Sequence, residues 1–512
     1  MTHPATTIAA LQRAVARAPR HPFLLFDGRE YSYAAVAAAV AACAHRLRAA
    51  GVTHGDRVAL YLENGPAFVT AYLGAHAAGA IVVLINMQYR SAELRHMLSD
   101  SGAKAIVVGP RIALDALHEA RSGLADPGVV IDAIEEASGV ENTVLDPATA
   151  PQPGDLALIG YTSGTTGRSK GAMLTHANLM ASSAAVTSAW HWTDTDRLLL
   201  TLPLFHIHGL GVGLNGALFT ASTVDLRRGF DAADVLDTLA RGETTMFFGV
   251  PTMYTRLIAE ARRRLQLAGA DRRSSALPLA PGVRLFVSGS APLSPQTFAE
   301  FAELFGQRIL ERYGMTETVM NLTNPYDGER RPGTVGGPFP GQEVRIVDVH
   351  SRMPVPDGVI GEIQVRGPHV FAGYWRNPQA TAEAFDADGW FNTGDLGWRS
   401  ADGYVTITGR ARELIISGGY NIYPREVEEV LLEHPAVAEA AVLGLPDAEY
   451  GEQVVAVVVP AASSAVTEQE LVDWCRAKLA GYKKPRRVVF VAALPRNAMG
   501  KVQKHLLAER LT

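Results

Sequence analysis

Cysteine is nearly absent from this chain: two residues, Cys43 and Cys475, stand among 512. Their wide separation offers neither a disulfide framework nor zinc-ligand spacing, so both are expected to be plain buried or half-buried thiols. Long apolar runs are missing too. No stretch reaches the roughly 20 apolar residues that a membrane span needs. The run Ala71 to Leu84 is interrupted by His76 and several small residues, and reads as a buried helix leading into a strand. The opening segment, MTHPATTIAALQRAVARAPR, has scattered arginines but no continuous apolar core, which is unlike a secretory signal. A cytoplasmic location is therefore the default expectation. Nor is one sign of charge in large excess. A formal net charge of -5 gives no reason to expect nucleic acid or an anionic membrane as partner.

What is present is an ordinary globular composition, 47% hydrophobic and 19% charged. The chain is too long for one core, since domains typically run roughly 100–200 residues. Helix-like and strand-like patterns alternate along it. Tyr33 to Ala50 is alanine-rich at helical spacing, Arg57 to Leu62 is a strand run, Pro66 to Ala80 is helical, and Ile81 to Ile85 is a strand again. Further strand pieces fall at Leu198 to Leu202, Thr245 to Gly249 and Val283 to Ser288. Such alternation predicts βαβ units and a mostly parallel sheet. Between Gly341 and Val365, short β runs punctuated by Gly and Pro predict a smaller, mostly antiparallel unit. After Gly409-Arg410 the pattern turns α/β once more, with a proline-led amphipathic helix over Pro424 to Leu432, two strands, and a helix over Glu468 to Leu479. The expected fold class is thus α/β. A large N-terminal domain (1–409) would combine parallel-rich sheets with a small β subdomain, and a small, mobile C-terminal α/β domain (410–512) would follow.

The strongest local signal is Tyr161-Thr-Ser-Gly-Thr-Thr-Gly-Arg-Ser-Lys-Gly171, behind the strand-like LALIG. Its glycines let the backbone approach a ligand closely, and successive N–H groups can line one concavity that suits phosphate oxygens. The hydroxyls of Thr162, Ser163, Thr165 and Thr166 add donors, with Gly164 and Gly167 between them, and Lys170 adds positive charge. The pattern is not G-x-x-x-x-G-K-[ST], so the usual P-loop reading fails. A solvated linker has a similar composition, but this loop follows a buried strand and ends in a lysine.

The segment resembles the phosphate loop of the acyl-adenylate-forming superfamily, and further motifs match in order. Leu204-Phe205-His206 is similar to the aromatic gate, and Gly289-Ser290-Ala291-Pro292 to the adenine shelf. Glu311-Arg312-Tyr313-Gly314-Met315-Thr316-Glu317-Thr318 follows, then Thr393-Gly394-Asp395, Gly409-Arg410 and Pro495-Arg-Asn-Ala-Met-Gly-Lys501. The resemblance implies ATP, Mg2+ and coenzyme A as co-substrates and cofactor, and an acid activated as its adenylate. It places Gly289, Ser290, Ala291, Glu311, Arg312, Tyr313 and Gly314 on ATP, Thr316 on its α-phosphate, and Glu317 on the metal with Thr166 assisting. Asp395 falls on the ribose hydroxyls and Arg410 on ribose and phosphate. Lys501 would neutralise charge where one anion attacks another. The resemblance also implies a pivot at Arg412, and a coenzyme A tunnel formed with Ser417, Gly418, Gly419 and Tyr420.

For the acid, the nearest resemblance is to malonyl-CoA synthetases, carried by Leu202-Pro-Leu-Phe-His-Ile-His-Gly209, Val250-Pro-Thr-Met-Tyr-Thr-Arg256 and the stretch from Glu311 to Arg330. A second carboxylate must be paired before it will leave water, and a guanidinium matches it bidentately. Arg256, on the second turn of a helix opened by Pro251, is the expected clamp; a surface arginine on an amphipathic helix would look the same. His206 or His208 assists or is only a packed gate residue. Met320 narrows the pocket or only fills the core, and Ser288 completes the acyl set. Other short or medium carboxylates (methylmalonate, fatty or aryl acids) remain open. So does a stand-alone loader of carrier proteins, whereas a non-catalytic adenylate binder fits poorly with Lys501, Glu317 and Asp395 all present. A monomer or homodimer is expected, with small molecules as the only other partners.

Overall fold

A computed structural model of the chain describes residues 3–133, 145, 150–162, 169–267, 282–418, 420–447, 449–461, 464–497 and 500–511. Its residues group into two compact units: one of Met1–Val344 with Val365–Phe391, the other of Arg345–Gln364 with Asn392–Thr512. The Arg410–Arg412 segment, where the sequence changes pattern, lies inside the second unit.

Two large sheets organise the first unit. In one, the strands run in the order Val129–Asp132, Ala105–Val108, Arg57–Tyr61, Ile81–Leu84, Leu156–Thr162 and Lys170–Thr175. All neighbours are parallel except the last pair, which closes as an antiparallel hairpin. The other sheet has a parallel centre, Leu310–Tyr313, Leu285–Ser288, Met246–Gly249, Arg197–Leu200, Thr223–Leu226 and Pro22–Phe26, with antiparallel strands at both edges. Near-continuous apolar strands such as IVVL and AIVV are buried throughout, as strands covered on both faces must be.

Local chemistry sets the helices between them. Ser32 caps the helix Tyr33–Ala49 by accepting from the Ala35 N–H. The helix Pro66–Ala77 opens behind proline and is buried on every side. Where it crosses Tyr33–Ala49 it carries Gly74, whose added Cβ would sit 2.6 Å from Cys43 Sγ. That packing seals Cys43, and burial pushes its thiol up to about 12. The run ending at Leu84 is a buried helix followed by a strand, as its composition predicts, and no helix among the described residues is long and apolar enough to cross a membrane.

The second unit contains most of a four-stranded sheet, in the order Glu343–Val347, Gly361–Arg366, Phe391–Arg399 and Val405–Arg410. It also contains a mixed sheet built on the hairpin of Val437–Asp447 and Gly451–Pro460. The helix Pro424–Leu432 packs Val427 and Leu431 into that sheet's core beside Val442, Val454 and Cys475. Thr467 and Glu470 form a capping box that starts the helix Glu468–Lys478.

Candidate active site

The strand Leu156–Thr162 runs parallel to Ile81–Leu84 and ends where the segment expected to bind phosphate begins. Ser163, Gly164, Thr165, Thr166 and Gly167 lie outside the described residues, but both shoulders of the loop are defined. Thr162 pairs with Lys170 across the hairpin. The Tyr161 phenol donates to Asp100 Oδ2 at 2.6 Å. Thr162 Oγ1 donates to Glu317 Oε1 at 3.3 Å, and Tyr374 Oη donates to the same oxygen at 3.1 Å. Lys170 Nζ stands 5.4 Å from the centroid of the Tyr374 ring. Thr316 packs on Gly160, where an added Cβ would come within 2.6 Å of its Cγ2. Thr162, Lys170, Thr316 and Glu317 are therefore neighbours. Tyr374 joins them, although no motif of the sequence assigns it; its only signal there is the glycine-aromatic run Gly373-Tyr374-Trp375.

Glu317 is buried on a turn held by its own carbonyl, which accepts from Phe371 N–H at 2.8 Å. Among the described residues no group of three or more His, Cys, Asp or Glu is arranged to hold a metal. One carboxylate beside Thr162, the shoulder of the segment expected to bind phosphate, suits Mg2+, which takes most of its ligands from phosphates and water. The turn is strained: Val319, β-branched, has φ 60°, a conformation costly for such a residue and concentrated at functional sites. Ser290, in the segment expected to form the adenine shelf, also has a positive φ, 71°.

Behind this turn lies a second set. Arg312 projects from the strand Leu310–Tyr313 and is 3% exposed. Gly289 makes room for it, since an added Cβ there would collide with the guanidinium. Its Nε and Nη2 are buried with no hydrogen-bond partner among the described residues. Burial pulls the guanidinium down to about 9, so it stays a cation at neutral pH. Burial, with the Arg312 charge adding to it, depresses His206 to about 4 and His208 well below its ordinary value. Both imidazoles are neutral at pH 7. His208 Nδ1 lies 3.2 Å from Ser290 Oγ, and the His208 backbone N–H donates to His206 Nδ1 at 3.2 Å. The backbone from His208 to Leu214 forms a buried π-helix, a distortion frequent at functional sites. Ser288 is buried behind Gly289, Glu311 accepts from Leu293 N–H at 3.0 Å, and Met320 is buried against Gly314. Arg256 is placed differently. It is exposed on the helix Pro251–Leu267 and lines an open surface hollow with Asp231, Glu260 and Arg263.

The second unit carries its own constellation. Asp395 and Arg410 face each other across an antiparallel pair, with Arg410 Nε 3.0 Å from Asp395 Oδ1. Thr393 shapes the approach by donating to Ile363 O and accepting from Asp395 N–H. Lys501 follows a turn in which its N–H donates to Asn497 Oδ1 at 2.9 Å and Gly500 takes φ 73°. Burial, then the Arg410 charge, lowers its ammonium to about 8, while Asp395 and Glu413 oppose the shift. Arg412 sits in the single turn Ala411–Glu413 and adds to the positive field on Lys501. Lys504 pairs with Glu413 and Glu428 at 3.3 and 2.7 Å. Ser417 and Tyr420 close a tight hairpin around Gly418, and the exposed Tyr420 ring stacks on Tyr482 at 4.5 Å. Gly419 lies outside the described residues.

The chain matches the AMP-binding enzyme family over residues 11–375 and the AMP-binding enzyme C-terminal domain over 426–501. It belongs to that family. Among its relatives, it is 38% identical over 511 residues to the sulfoacetate–CoA ligase of Cupriavidus necator, covering 97% of this chain and 96% of that one. It is 37% identical over 489 residues to the malonate–CoA ligase of Arabidopsis thaliana, covering 90% and 79%. The crystal structure of ATP-bound MatB from Rhodopseudomonas palustris superposes with a TM-score of 0.88 at 38% identity, covering 98% of each chain. This family member is an acyl-CoA ligase that works through an acyl-adenylate, as its motifs imply.

Proposed function

We propose that the chain activates a short acid bearing a second negative charge, with malonate the best fit, and transfers it to coenzyme A. The observation that carries this reading is Arg312. A guanidinium held in the interior with two donors unused among the described residues costs several kcal/mol unless an anion joins it. A distal carboxylate would pair with it bidentately, where an acetyl or alkyl chain would leave it uncompensated. The clamp expected at Arg256 is accordingly reassigned to Arg312, with neutral His206 and His208 as hydrogen-bonding neighbours and Met320 limiting chain length. A sulfonate would meet the same cation, so sulfoacetate is the second reading, favoured by the likeness to a sulfoacetate–CoA ligase.

In the first half-reaction a carboxylate oxygen attacks the α-phosphorus of ATP, and the bond to the bridging oxygen breaks to release pyrophosphate. Lys501 would donate to both the attacking carboxylate and the α-phosphate, with Thr316 on the same phosphate. Asp395 would accept the ribose hydroxyls, with Arg410 holding its orientation. Mg2+, when held at Glu317, supplies charge neutralisation for the leaving pyrophosphate. In the second half-reaction the thiol loses its proton to solvent, its sulfur attacks the acyl carbon, and AMP departs with the electron pair. A pivot at Arg412 would withdraw Lys501 and bring the Ser417–Tyr420 hairpin to the pantetheine arm.

The test is thioester formation, dependent on ATP and coenzyme A, across malonate, methylmalonate, sulfoacetate, acetate and an aryl acid. Malonate should give the highest kcat/KM. Acetate or the aryl acid performing as well would remove the role given to Arg312.

A further inference from the structure

Residues 371 to 375 form a strap that joins the Glu317 turn to the phosphate-loop hairpin. At one end Phe371 N–H donates to the Glu317 carbonyl at 2.8 Å. Along its length Ala372 N–H donates to Met173 O at 2.8 Å, Met173 N–H to Gly373 O at 2.9 Å, and Trp375 N–H to Gly171 O at 2.8 Å. The strap thus runs antiparallel beside Lys170–Thr175, with Tyr374 opposite Ala172. Its far end is fixed by the Trp375 indole, which donates to Asp100 O at 3.0 Å. Asp100 is also the residue whose carboxylate takes the Tyr161 phenol.

Within the strap, Tyr374 is held on its own account. Its N–H donates to Thr381 Oγ1 at 2.9 Å. Gly373 takes φ 122° against Thr381, where an added Cβ would lie 2.6 Å from the Thr381 methyl. No other residue type suits both that backbone angle and that spacing. The Tyr374 side chain is consequently launched from a fixed point toward Glu317.

Two hydroxyls reach Glu317 Oε1, and they differ in how firmly they can hold it. Thr162 Oγ1 is 3.3 Å from Oε1 and 3.5 Å from Lys170 O, so one proton serves two acceptors. Thr162 is also a shoulder of the loop that phosphates would enter. The Tyr374 phenol is nearer, at 3.1 Å, and comes from the strap instead of the loop. Donors on the charged form keep a carboxylate ionised and fix its plane. A metal ligand oriented in this way binds its ion more tightly, by roughly 10–100-fold.

We propose that Tyr374 is a positioning residue for the Mg2+ that accompanies ATP, acting through the phenol that orients the Glu317 carboxylate. The inference rests on Glu317 being the ligand of that metal, so Glu317→Gln is included as the control for the underlying reading. Tyr374→Phe removes the hydroxyl and keeps the ring beside Lys170. Tyr374→Leu removes both.

The experiment titrates ATP into the full chain by calorimetry, once with Mg2+ and once with a chelator, and no acid substrate present. Tyr374→Phe should weaken Mg2+-dependent binding about tenfold and leave binding in chelator unchanged, a difference that a merely structural role would not produce. In ATP–pyrophosphate exchange with malonate, the half-saturating Mg2+ concentration should rise by the same factor, and excess Mg2+ should restore the rate. Tyr374→Leu should show the same Mg2+ dependence with an added loss in chelator, where the ring beside Lys170 is missing. An unchanged thermal midpoint in Tyr374→Phe certifies its fold.

Weakened Mg2+-dependent binding in Glu317→Gln but not in Tyr374→Phe would overturn the proposal and leave the metal reading standing. No change in either variant would overturn both. Equal weakening of Tyr374→Phe with Mg2+ and with chelator would also overturn the proposal, making the phenol part of the scaffold.

Discussion

Two cations in this chain have opposite surroundings, one buried and one half-buried. Arg312, in the first unit, is enclosed by neutral histidines and by the space that Gly289 leaves, with donors unused among the described residues. Lys501, in the second unit, stands among Arg410, Arg412, Asp395 and Glu413; burial, then the Arg410 charge, holds its ammonium near 8 against the pull of the two carboxylates. The first is a cation at neutral pH with donors unused among the described residues, which suits the proposed pairing with an anionic substrate. The second is poised to gain or lose its proton near working pH, which makes its contribution conditional.

The sharpest way to break this contrast is Lys501→Ala. Adenylation, read by pyrophosphate release, should fall on the order of 10²–10³-fold, the usual loss of a preorganised transition-state donor. Thioester formation from a supplied acyl-adenylate should be largely retained; equal loss of both steps would show that Lys501 serves structure instead of chemistry. Next in size, Arg312→Leu should lower kcat/KM for malonate about 100-fold, with little change for acetate. A matching fall for acetate would make Arg312 a scaffold residue. The smallest effect is the pH response. Because the Lys501 pKa is lowered, its charged form is present below about 8 and lost above it, so the adenylation rate of the free enzyme should decline as pH rises through that value. Lys501→Arg should move or abolish that limb, since arginine does not titrate there. A profile unchanged by the substitution would assign the limb to another group.

Much of this architecture is legible in the sequence. The helix at Pro424–Leu432 and the strand at Ile81–Leu84 follow from proline placement and apolar runs, and both occur where expected. Thr162, Lys170 and Glu317 stand in motifs that carry their own spacing. Arg256 and Arg312 are harder. Each is an arginine near an apolar stretch; helix periodicity favours the former as an acid clamp, and the motif assigns the latter to ATP. Only folding distinguishes an exposed guanidinium from one sealed behind Gly289. Tyr374 escapes a reading of the sequence for the same reason: its partner Glu317 is 57 residues away.

By itself the amino-acid order determined the α/β class and the ordered set of nucleotide-handling motifs, because glycine turns, caps and hydrophobic periodicity act over a few residues. The tertiary structure alone decided which cation is buried with donors to spare, which histidines are neutral, and which carboxylate oxygen collects two hydroxyls. Burial and electrostatic field are sums over neighbours brought together from distant parts of the chain, and no local pattern encodes such a sum.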